Sequence, residues 1–559
     1  MLSLAPIRKN ITVFLLIKFS VALYLAILIP YQVDPHHDGY ILGFSAAVAD
    51  GLPVHSGAFS QYGPFTAWLA GFFLKITSVN VFNLRVLSGI LIFLTYFILE
   101  KTLQKLKFTK NTSQLVSLSW ILINHVTSTS FDGAFLLWPS LVSTFLLMVA
   151  LNLILIAIES KNQKFFFFLS GIVLSLAFFT RIQSILVVII LSLIWIFFIR
   201  DISKILYLMS GFMSGVILIY TYLASIGAFR DYFEQVIIWP ATVYPSLGSG
   251  NNYNRFQFLL YLSLPMLCLG YFWFTKSVYS KLQRFSALTF MLITGIFMFF
   301  VFSVSGKLLL SDKNTYLRLI VGDQLNRVVF WPIYFCYLGT VFLALLTLLT
   351  FMGNSIKPVL KRQEFVYSTC FGLSVTPQIF PQPDVAHLWW ITPLLIPPTL
   401  TLLKALDINF EKFRLSLVSI LIAALLASLS YLQRDWAPYS YLPLLGTYAQ
   451  QQKVNTVEVY QPLSKFLQTN DAVFLCNDGL HAVAALKYSS VDQWFVRWGP
   501  ADINKEKIRL MSSKNIVVCD EVKSISEELA VKYNLKLTYF DEKLNGDTYR
   551  SLAILAKNQ

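Results

Sequence analysis

The sequence predicts an all-α polytopic membrane domain of about 13 transmembrane helices, followed by a C-terminal extracytoplasmic α/β domain. Of the 559 residues, 56% are hydrophobic and only 13% are charged, whereas soluble domains carry about 25% charged residues. Apolar runs close to 20 residues long recur along the chain, and this length crosses a bilayer. Beyond residue 431, charges become frequent and the apolar runs shorten to the length of strands.

One apolar segment, 62–79, is predicted to lie at the extracytoplasmic surface instead of crossing the membrane. It contains two glycines, a proline and a lysine. If it crossed, the lysine-rich segment 100–110 would face the outside, against the positive-inside rule. The thirteen predicted spans are 11–30, 82–99, 114–131, 134–158, 165–180, 182–199, 205–225, 257–275, 285–304, 328–351, 364–380, 388–403 and 414–431.

The distribution of Lys and Arg predicts the orientation of these spans. With the N-terminus in the cytoplasm, the inner segments hold about twice as many Lys and Arg residues as the outer segments. The net charge of +15 is therefore explained by cytoplasmic loops, and no nucleic-acid partner is predicted. The first apolar run is too long for a signal peptide and lacks a cleavage site. Lys18 within it is expected to snorkel to the cytoplasmic end.

The chain is predicted to divide into a transmembrane domain, 1–431, with a first outer loop at 31–81, and an extracytoplasmic domain, 432–559. In the second domain, "DAVFLCN" (471–477) and "NIVVC" (515–519) are typical of buried strands. "SISEELAVKYN" is typical of a helix that begins after a serine cap, and "LKLTYF" and "YRSLAILA" of further strands. This alternation predicts a small α/β domain.

The five cysteines lie far apart and form no CxxC, so the sequence contains no cysteine-based metal or redox motif. Cys476 and Cys519 each end a predicted strand. Two buried small hydrophobic side chains or one disulfide would both fit this placement.

The stretch "YQVDPHHDGY", directly after the first span, gathers ionisable residues in a chain that is otherwise poor in charge. It contains Asp34, His36, His37 and Asp38. Ionisable groups at the ends of spans are costly to bury, and they tend to face a cavity or one another. The cluster therefore predicts a site on the outer side of the membrane.

Other outer segments contribute further polar residues. They are Tyr62 in "QYGP", Asp132 in "SFDG", Arg181 in "TRIQS", and Asp384 and His387 in "PQPDVAHL". Arg181 interrupts a long apolar stretch where the chain must turn, and guanidinium groups bind phosphate through two parallel hydrogen bonds.

These carboxylate, imidazole and guanidinium groups suit a reaction on a lipid-linked phosphate. A carboxylate can take a proton from an acceptor hydroxyl, and a cation or a divalent metal ion, held by residues such as Asp132 and His37, can stabilise the leaving phosphate. Structural roles also fit: Asp132 as the N-cap of the span that starts at 134, Arg181 as a headgroup anchor, and Asp384 with His387 as a loop pair.

The order of these motifs resembles the GT-C superfamily of polyprenyl-phosphate-sugar-dependent glycosyltransferases, and within it the family 39 enzymes. Those include aminoarabinose transferases and protein O-mannosyltransferases. The resemblance is carried by the acidic first loop, "YGP", "NLRVLSG", "LAFFTRIQS" and a late "D-x-x-H-L". It implies that Asp38 is the catalytic aspartate, that Asp132 binds metal or donor, and that Arg181 contacts the donor phosphate. It also gives Asp384 and His387 a place in the substrate cavity.

The resemblance implies transfer of a sugar from a polyprenyl-phosphate donor to a hydroxyl of a lipid, glycan or protein, on the extracytoplasmic face of the plasma (inner) membrane. The sequence departs from the lipid-A enzymes in having His-Asp for an acid pair and "YGP" for "KPP". An envelope-lipid transporter or flippase, and an oligosaccharide ligase, are the alternatives.

Overall fold

The computed structural model describes seven stretches of the N-terminal part and six C-terminal strands. The stretches are 5–29, 37–56, 60–127, 136–194, 202–241, 363–379 and 385–405. Almost all of these residues are helical. The helices are α1 (Ala5–Leu28), α2 (His37–Ala49), α3 (Pro64–Ile76), α4 (Val81–Lys105), α5 (Lys110–Thr127), α6 (Pro139–Glu159), α7 (Gln163–Phe178), α8 (Ile185–Ile194), α9 (Ile202–Ser225), α10 (Phe229–Phe233), α11 (Gln363–Val375) and α12 (Val385–Ala405).

Three helices in the described part of the chain, α4, α6 and α9, are long and apolar enough to cross a membrane. Helices α1, α5, α7, α8, α11 and α12 coincide in position with other predicted spans. Four predicted spans, 257–275, 285–304, 328–351 and 414–431, fall outside the described residues, so the number of thirteen stays a prediction.

The predicted first outer loop folds into two short helices, α2 and α3. Each has 13 residues, a length of about 20 Å at 1.5 Å per residue. The hydrocarbon core of a bilayer is about 30 Å thick. Helix α3 is therefore too short to cross it upright, as are α8 and α11 over their described lengths, so the surface placement of 62–79 stays a prediction.

Helices α7 and α9 pack against each other with their backbones almost in contact. A Cβ atom on Gly171 would lie 2.1 Å from the carbonyl oxygen of Leu208, and one on Gly211 would lie 1.9 Å from that of Phe168. Small residues permit this close approach of two helices. Further along, Gly215 meets Ser175, so the two helices run in the same direction.

The expected snorkelling of Lys18 is wrong. Its side chain is only 7% exposed, and its ammonium group donates to the carboxylate of Glu100 on α4. The Nζ atom also lies 4.0 Å from the ring centroid of Tyr96. The lysine stays buried because an opposite charge and an aromatic face on α4 compensate its desolvation.

Helix α12 is fixed to α5 by a reciprocal pair of tryptophans. The indole N–H of Trp120 donates to the carbonyl of Trp389 at 3.2 Å, and that of Trp389 donates to the carbonyl of Trp120 at 2.9 Å. The two rings stack at 5.0 Å. Both buried indole donors are thereby satisfied within the core.

The C-terminal strands form a hairpin and a four-stranded sheet. The hairpin joins β1 (Tyr439–Leu442) and β2 (Thr447–Gln450). The sheet has the order β3-β4-β6-β5. Its strands are β3 (Ala472–Leu475), β4 (Asn515–Val518), β5 (Leu535–Leu544) and β6 (Thr548–Lys557).

Strands β3 and β4 pair in parallel, and the other neighbouring strands of the sheet pair antiparallel. The four sheet strands confirm the predicted strands. The predicted helix at 524–534, the boundary at 431 and both Cys476 and Cys519 lie outside the described residues, so the α/β assignment of this domain stays a prediction.

Candidate active site at the first loop

Asp38 forms a buried ion pair with Arg85. The Nε–H group of Arg85 lies 3.2 Å from Oδ1 and 3.1 Å from Oδ2, and Nη2 donates to Oδ2 at 2.5 Å. Asp38 is 0% exposed and Arg85 is 1% exposed. Two buried charges are tolerated when they satisfy each other through several hydrogen bonds, so this contact fixes the carboxylate in position.

Local sequence places each of these two residues near the start of a helix. Asp38 lies in the first turn of α2. Helix α4 begins after Asn80, whose side chain accepts a hydrogen bond from the N–H of Asn83 at 2.7 Å and so caps the helix. Arg85 follows one turn later. Arg85 lies within the "NLRVLSG" motif, but the sequence analysis predicted no role for it, although a lone arginine near the start of an apolar span was the available signal.

Arg181 lies at a break between helices, as predicted. Helix α7 ends at Phe178 and a 3-10 turn, Ile182–Ser184, leads into α8. The Arg181 side chain is buried, its Nη1 donates to the hydroxyl of Ser140, and its Cζ lies 5.8 Å from the ring centroid of Tyr62. The turn therefore points its cation into the protein, toward the first loop.

The predicted "YGP" segment sits directly on this turn. A Cβ atom on Gly63 would lie 1.9 Å from the carbonyl oxygen of Phe179. The N–H of Phe65 donates to that same oxygen at 3.1 Å. Because only glycine allows this approach, Gly63 brings Tyr62 to Arg181.

A cluster of aromatic rings packs around Tyr62 of the first loop. Tyr62 lies 6.5 Å from Tyr40 and 5.5 Å from Trp138, measured between ring centroids. Tyr40 lies two residues after Asp38, and Tyr62 contacts Arg181. Ser88, one turn after Arg85 on α4, donates to the carbonyl of Leu136 just before α6 at 3.2 Å, and Arg181 donates to Ser140 in the first turn of α6. The ion pair of Asp38 and the guanidinium group of Arg181 therefore lie at the same end of the helical bundle.

Helices α11 and α12 reach the same end. The side-chain N–H₂ of Gln378, in the 3-10 turn after α11, lies 3.2 Å from the hydroxyl of Ser143 and 3.3 Å from that of Ser184. In α12, Trp390 stacks on Trp138 at 5.9 Å. His387 occurs in the first turn of this helix; its side chain and Asp384 lie outside the described residues.

His55 ties the first loop to the segment after α9. Gln235 donates from Nε2 to the carbonyl of His55 at 2.8 Å, while its Oε1 accepts from the N–H of Ser60 at 3.0 Å. The amide orientation is thereby fixed, so Nδ1 of His55, 3.0 Å from Oε1, must be a donor. Burial lowers the pKa of His55 from 6.5 to about 4, and the imidazole is neutral.

Two further predictions concern the flanks of the site. The prediction that Asp132 caps the span starting at 134 is wrong, because that helix, α6, begins at Pro139 after Trp138. Proline lacks an N–H and is favoured at the first helical position. Asp132 itself lies outside the described residues. His37 begins α2, and its side chain is also outside them.

A divalent metal ion stays a prediction. Among the described residues, no group of three or more His, Cys, Asp or Glu side chains converges as metal ligands. The carboxylate of Asp38 is held by Arg85, and the side chains predicted to bind metal, Asp132 and His37, are not described. No step is therefore assigned to a metal ion.

The fold and the site together define a mostly helical membrane protein with a charged site at one end of its bundle. No protein-family model matches the chain, and no curated protein matches it. Among solved structures, it is similar to ArnT from Cupriavidus metallidurans in the apo state, with a TM-score of 0.45, 11% identity and coverage of 98% of both chains.

It is also similar to the Archaeoglobus fulgidus oligosaccharyltransferase in complex with Zn and sulfate, with a TM-score of 0.47, 12% identity, and coverage of 96% of this chain and 72% of the other. ArnT bound to undecaprenyl phosphate gives a TM-score of 0.43 and 11% identity, over 97% of this chain and 98% of the other. These neighbours are GT-C glycosyltransferases, the superfamily that the motifs resemble. Because all three TM-scores are below 0.5, the similarity by itself defines neither the fold nor the activity of this chain.

Proposed function

We propose that this protein is an integral membrane glycosyltransferase that moves a sugar from a polyprenyl-phosphate donor to an acceptor hydroxyl. The observation that carries the proposal is that the buried carboxylate of Asp38, held by Arg85, lies at the same end of the helical bundle as Arg181, which reaches Tyr62 of the first loop. A carboxylate and a separate guanidinium group are the two charges that such a transfer needs.

In the proposed reaction, Asp38 acts as the general base. The acceptor oxygen attacks the anomeric carbon of the donor, the bond between that carbon and the phosphate oxygen breaks, and the hydroxyl proton passes to Asp38. The polyprenyl phosphate leaves with the bonding electron pair, and the sugar inverts its configuration. Arg85 is a positioning residue, because it holds the carboxylate without touching substrate.

Arg181 stabilises the departing phosphate. A guanidinium group offers parallel donors that match two phosphate oxygens, and the hydroxyl of Ser140 and the ring of Tyr62 hold it in place. Asp38 is fully buried, so the proposal requires the first loop to open when the acceptor binds.

We place the site on the extracytoplasmic face. Arg85 lies near the start of α4 while Lys105 lies in its last turn. Similarly, Lys164 lies in the first turn of α7 and Arg181 follows its end. Lysine-rich ends are typical of the cytoplasmic side, which supports the opposite side for the site.

The substitution Asp38→Asn tests the proposal. It removes the base but keeps the size of the side chain, so we expect loss of one sugar from the glycolipids or glycoproteins of the host envelope, measured by mass spectrometry. Asp50→Asn is the matched control, because Asp50 is exposed in the turn that follows α2 of the same loop. Unchanged transfer by a normally expressed Asp38→Asn protein would remove the mechanism. Loss of a whole polymer instead of one sugar would favour the ligase alternative.

A lipid transporter is the second candidate, and the buried pair of Lys18 and Glu100 favours it. Ionisable groups inside spans often mark a transport path. In reconstituted vesicles, a transporter would move a fluorescent envelope lipid between leaflets, and Lys18→Met with Glu100→Gln would stop it. A glycosyltransferase would show no such movement.

A further inference from the structure

A basic cavity lies at the far end of α7 and α9, away from the candidate active site. It has a volume of about 380 Å³ and opens to the surface. Its lining includes Lys161, Lys164, Phe165, Lys204 and Tyr207. Because α7 and α9 run in the same direction, both helices begin at this cavity, and the partial positive charges of their first turns add to that of the lysines.

The described lining of the cavity is positively charged. Lys161 and Lys164 are exposed, and neither takes part in an ion pair within the described part of the chain. The nearest acid along the chain, Glu159, instead pairs with Lys105 and Lys107 at 3.3 Å each. None of the described residues that line the cavity is acidic.

Two of the three lysines contact side chains of neighbouring helices. Lys204 is partly buried and lies 3.5 Å from Oε1 of Gln363 on α11. The Nζ atom of Lys164 lies 5.4 Å from the ring centroid of Tyr207. Outside the described residues, Arg200 and Asp201 precede α9 and carry opposite charges, so together they add no net charge.

The position of the cavity fits the headgroup region of a bilayer. Phe165 beside it is 60% exposed, and the lysines lie at the ends of two apolar helices. Basic pockets between helices at the cytoplasmic ends of spans bind acidic lipid headgroups, and an exposed phenylalanine beside the lysines can lie against an acyl chain.

We propose that this cavity binds the headgroup phosphate of an anionic phospholipid, with Lys161, Lys164 and Lys204 around the phosphate and Phe165 against the acyl chain. The site is separate from the candidate active site, because α7 with its 16 residues places about 24 Å between them. The proposal therefore does not depend on glycosyl transfer.

Native mass spectrometry of the full chain, released from nanodiscs of equal phosphatidylglycerol and phosphatidylcholine, tests the proposal. We expect the wild type to retain phosphatidylglycerol preferentially. The double substitution Lys161→Gln with Lys164→Gln should weaken this retention roughly 10- to 25-fold, since each lysine near an anionic lipid contributes about fivefold. The matched control is Lys101→Gln with Lys110→Gln, which removes the same charge from exposed positions at the same end of the bundle.

An equal loss of phosphatidylglycerol retention in both double variants would show that the lipid is attracted to the basic surface in general, and it would overturn the proposed site. A second experiment adds inorganic phosphate at millimolar concentration. If phosphate displaces phosphatidylglycerol and stabilises the protein as much as phosphatidylglycerol does, the ligand is a free anion and the lipid proposal fails. If the lysine variant does not fold, the lipid preference of the wild type still tests the proposal. Retention of phosphatidylglycerol and phosphatidylcholine in equal amounts by the wild type would overturn it.

Discussion

Arg85 donates from Nε and Nη2 to the carboxylate of Asp38, at 3.1 and 2.5 Å, where α2 of the first loop meets α4. Both side chains are buried, so each charge depends on the other. The contact between Arg85 and Asp38 therefore fixes the proposed base, Asp38, and also holds the first loop against α4.

Arg85→Met should destabilise the protein strongly. The substitution removes the hydrogen bonds and the positive charge of Arg85 from a buried carboxylate, and breaking a buried pair in this way typically destabilises a protein by about 3–5 kcal/mol. Thermal unfolding in detergent should show a large fall in Tm for Arg85→Met and partial recovery when Asp38→Asn is added, because the second change removes the buried charge that Arg85 no longer compensates. A double variant no more stable than Arg85→Met alone would contradict a direct coupling between the two residues.

The sequence predicted the spans and the charged turn, but it did not predict which residues meet there. Helices α4, α6 and α9 follow from runs of apolar residues, and the break at Arg181 follows from a charge within such a run. The partnership of Arg85 with Asp38, and of Lys18 with Glu100, depends on how separate helices pack. No local pattern encodes such a contact.

The same limit applies to the "YGP" segment. The sequence predicted a surface segment at 62–79, and α3 within it begins at Pro64. Gly63 also lies close to the carbonyl oxygen of Phe179, and this contact depends on the tertiary structure alone. The sequence therefore predicts the residues of the candidate site better than their contacts.

Arg181→Gln should reduce transfer while leaving the protein folded. Removing a group that stabilises charge in a transition state typically lowers kcat by about 10²–10³, and glutamine can still hydrogen-bond to Ser140. Arg181→Lys should recover only part of the rate, because lysine lacks the planar pair of donors. Rates are measured on the acceptor identified from the envelope analysis.

The matched control for Arg181 is Arg230→Gln. The Arg230 side chain is 88% exposed and pairs with Glu234 on its own helical segment, so its loss should leave the rate within about twofold, because surface pairs contribute little. Equal activity of the Arg181→Gln protein and the wild type would exclude a role for Arg181 in the reaction.

Gly63→Ala should loosen the first loop. The added Cβ would lie 1.9 Å from a backbone oxygen, and backbone cannot move aside as a flexible side chain can. We expect faster proteolysis within 31–81 and loss of transfer. Gly89→Ala is the control, because its Cβ would meet the flexible end of Ile29 at 2.6 Å; proteolysis at the same rate in both variants would show that Gly63 does not hold the loop.

The stability of the protein should fall between pH 6.5 and about pH 4 because of His55. Burial lowers the pKa of this imidazole from 6.5 to about 4. Above pH 6.5 the imidazole is neutral in both the folded and the unfolded chain. As the pH falls toward 4, the unfolded chain binds a proton that the folded chain does not. Unfolding is then favoured by up to about 3 kcal/mol.

His55→Asn isolates this effect. His55 has φ = 74°, a conformation that asparagine adopts more readily than most residues, so the substitution removes the titrating group with little backbone strain. It also changes the contact with Gln235, which should lower stability by an amount independent of pH. Tm measured in detergent from pH 7.5 to 4 should therefore fall more steeply for the wild type than for His55→Asn. Parallel curves would mean that His55 takes up its proton in the folded protein as readily as in the unfolded chain.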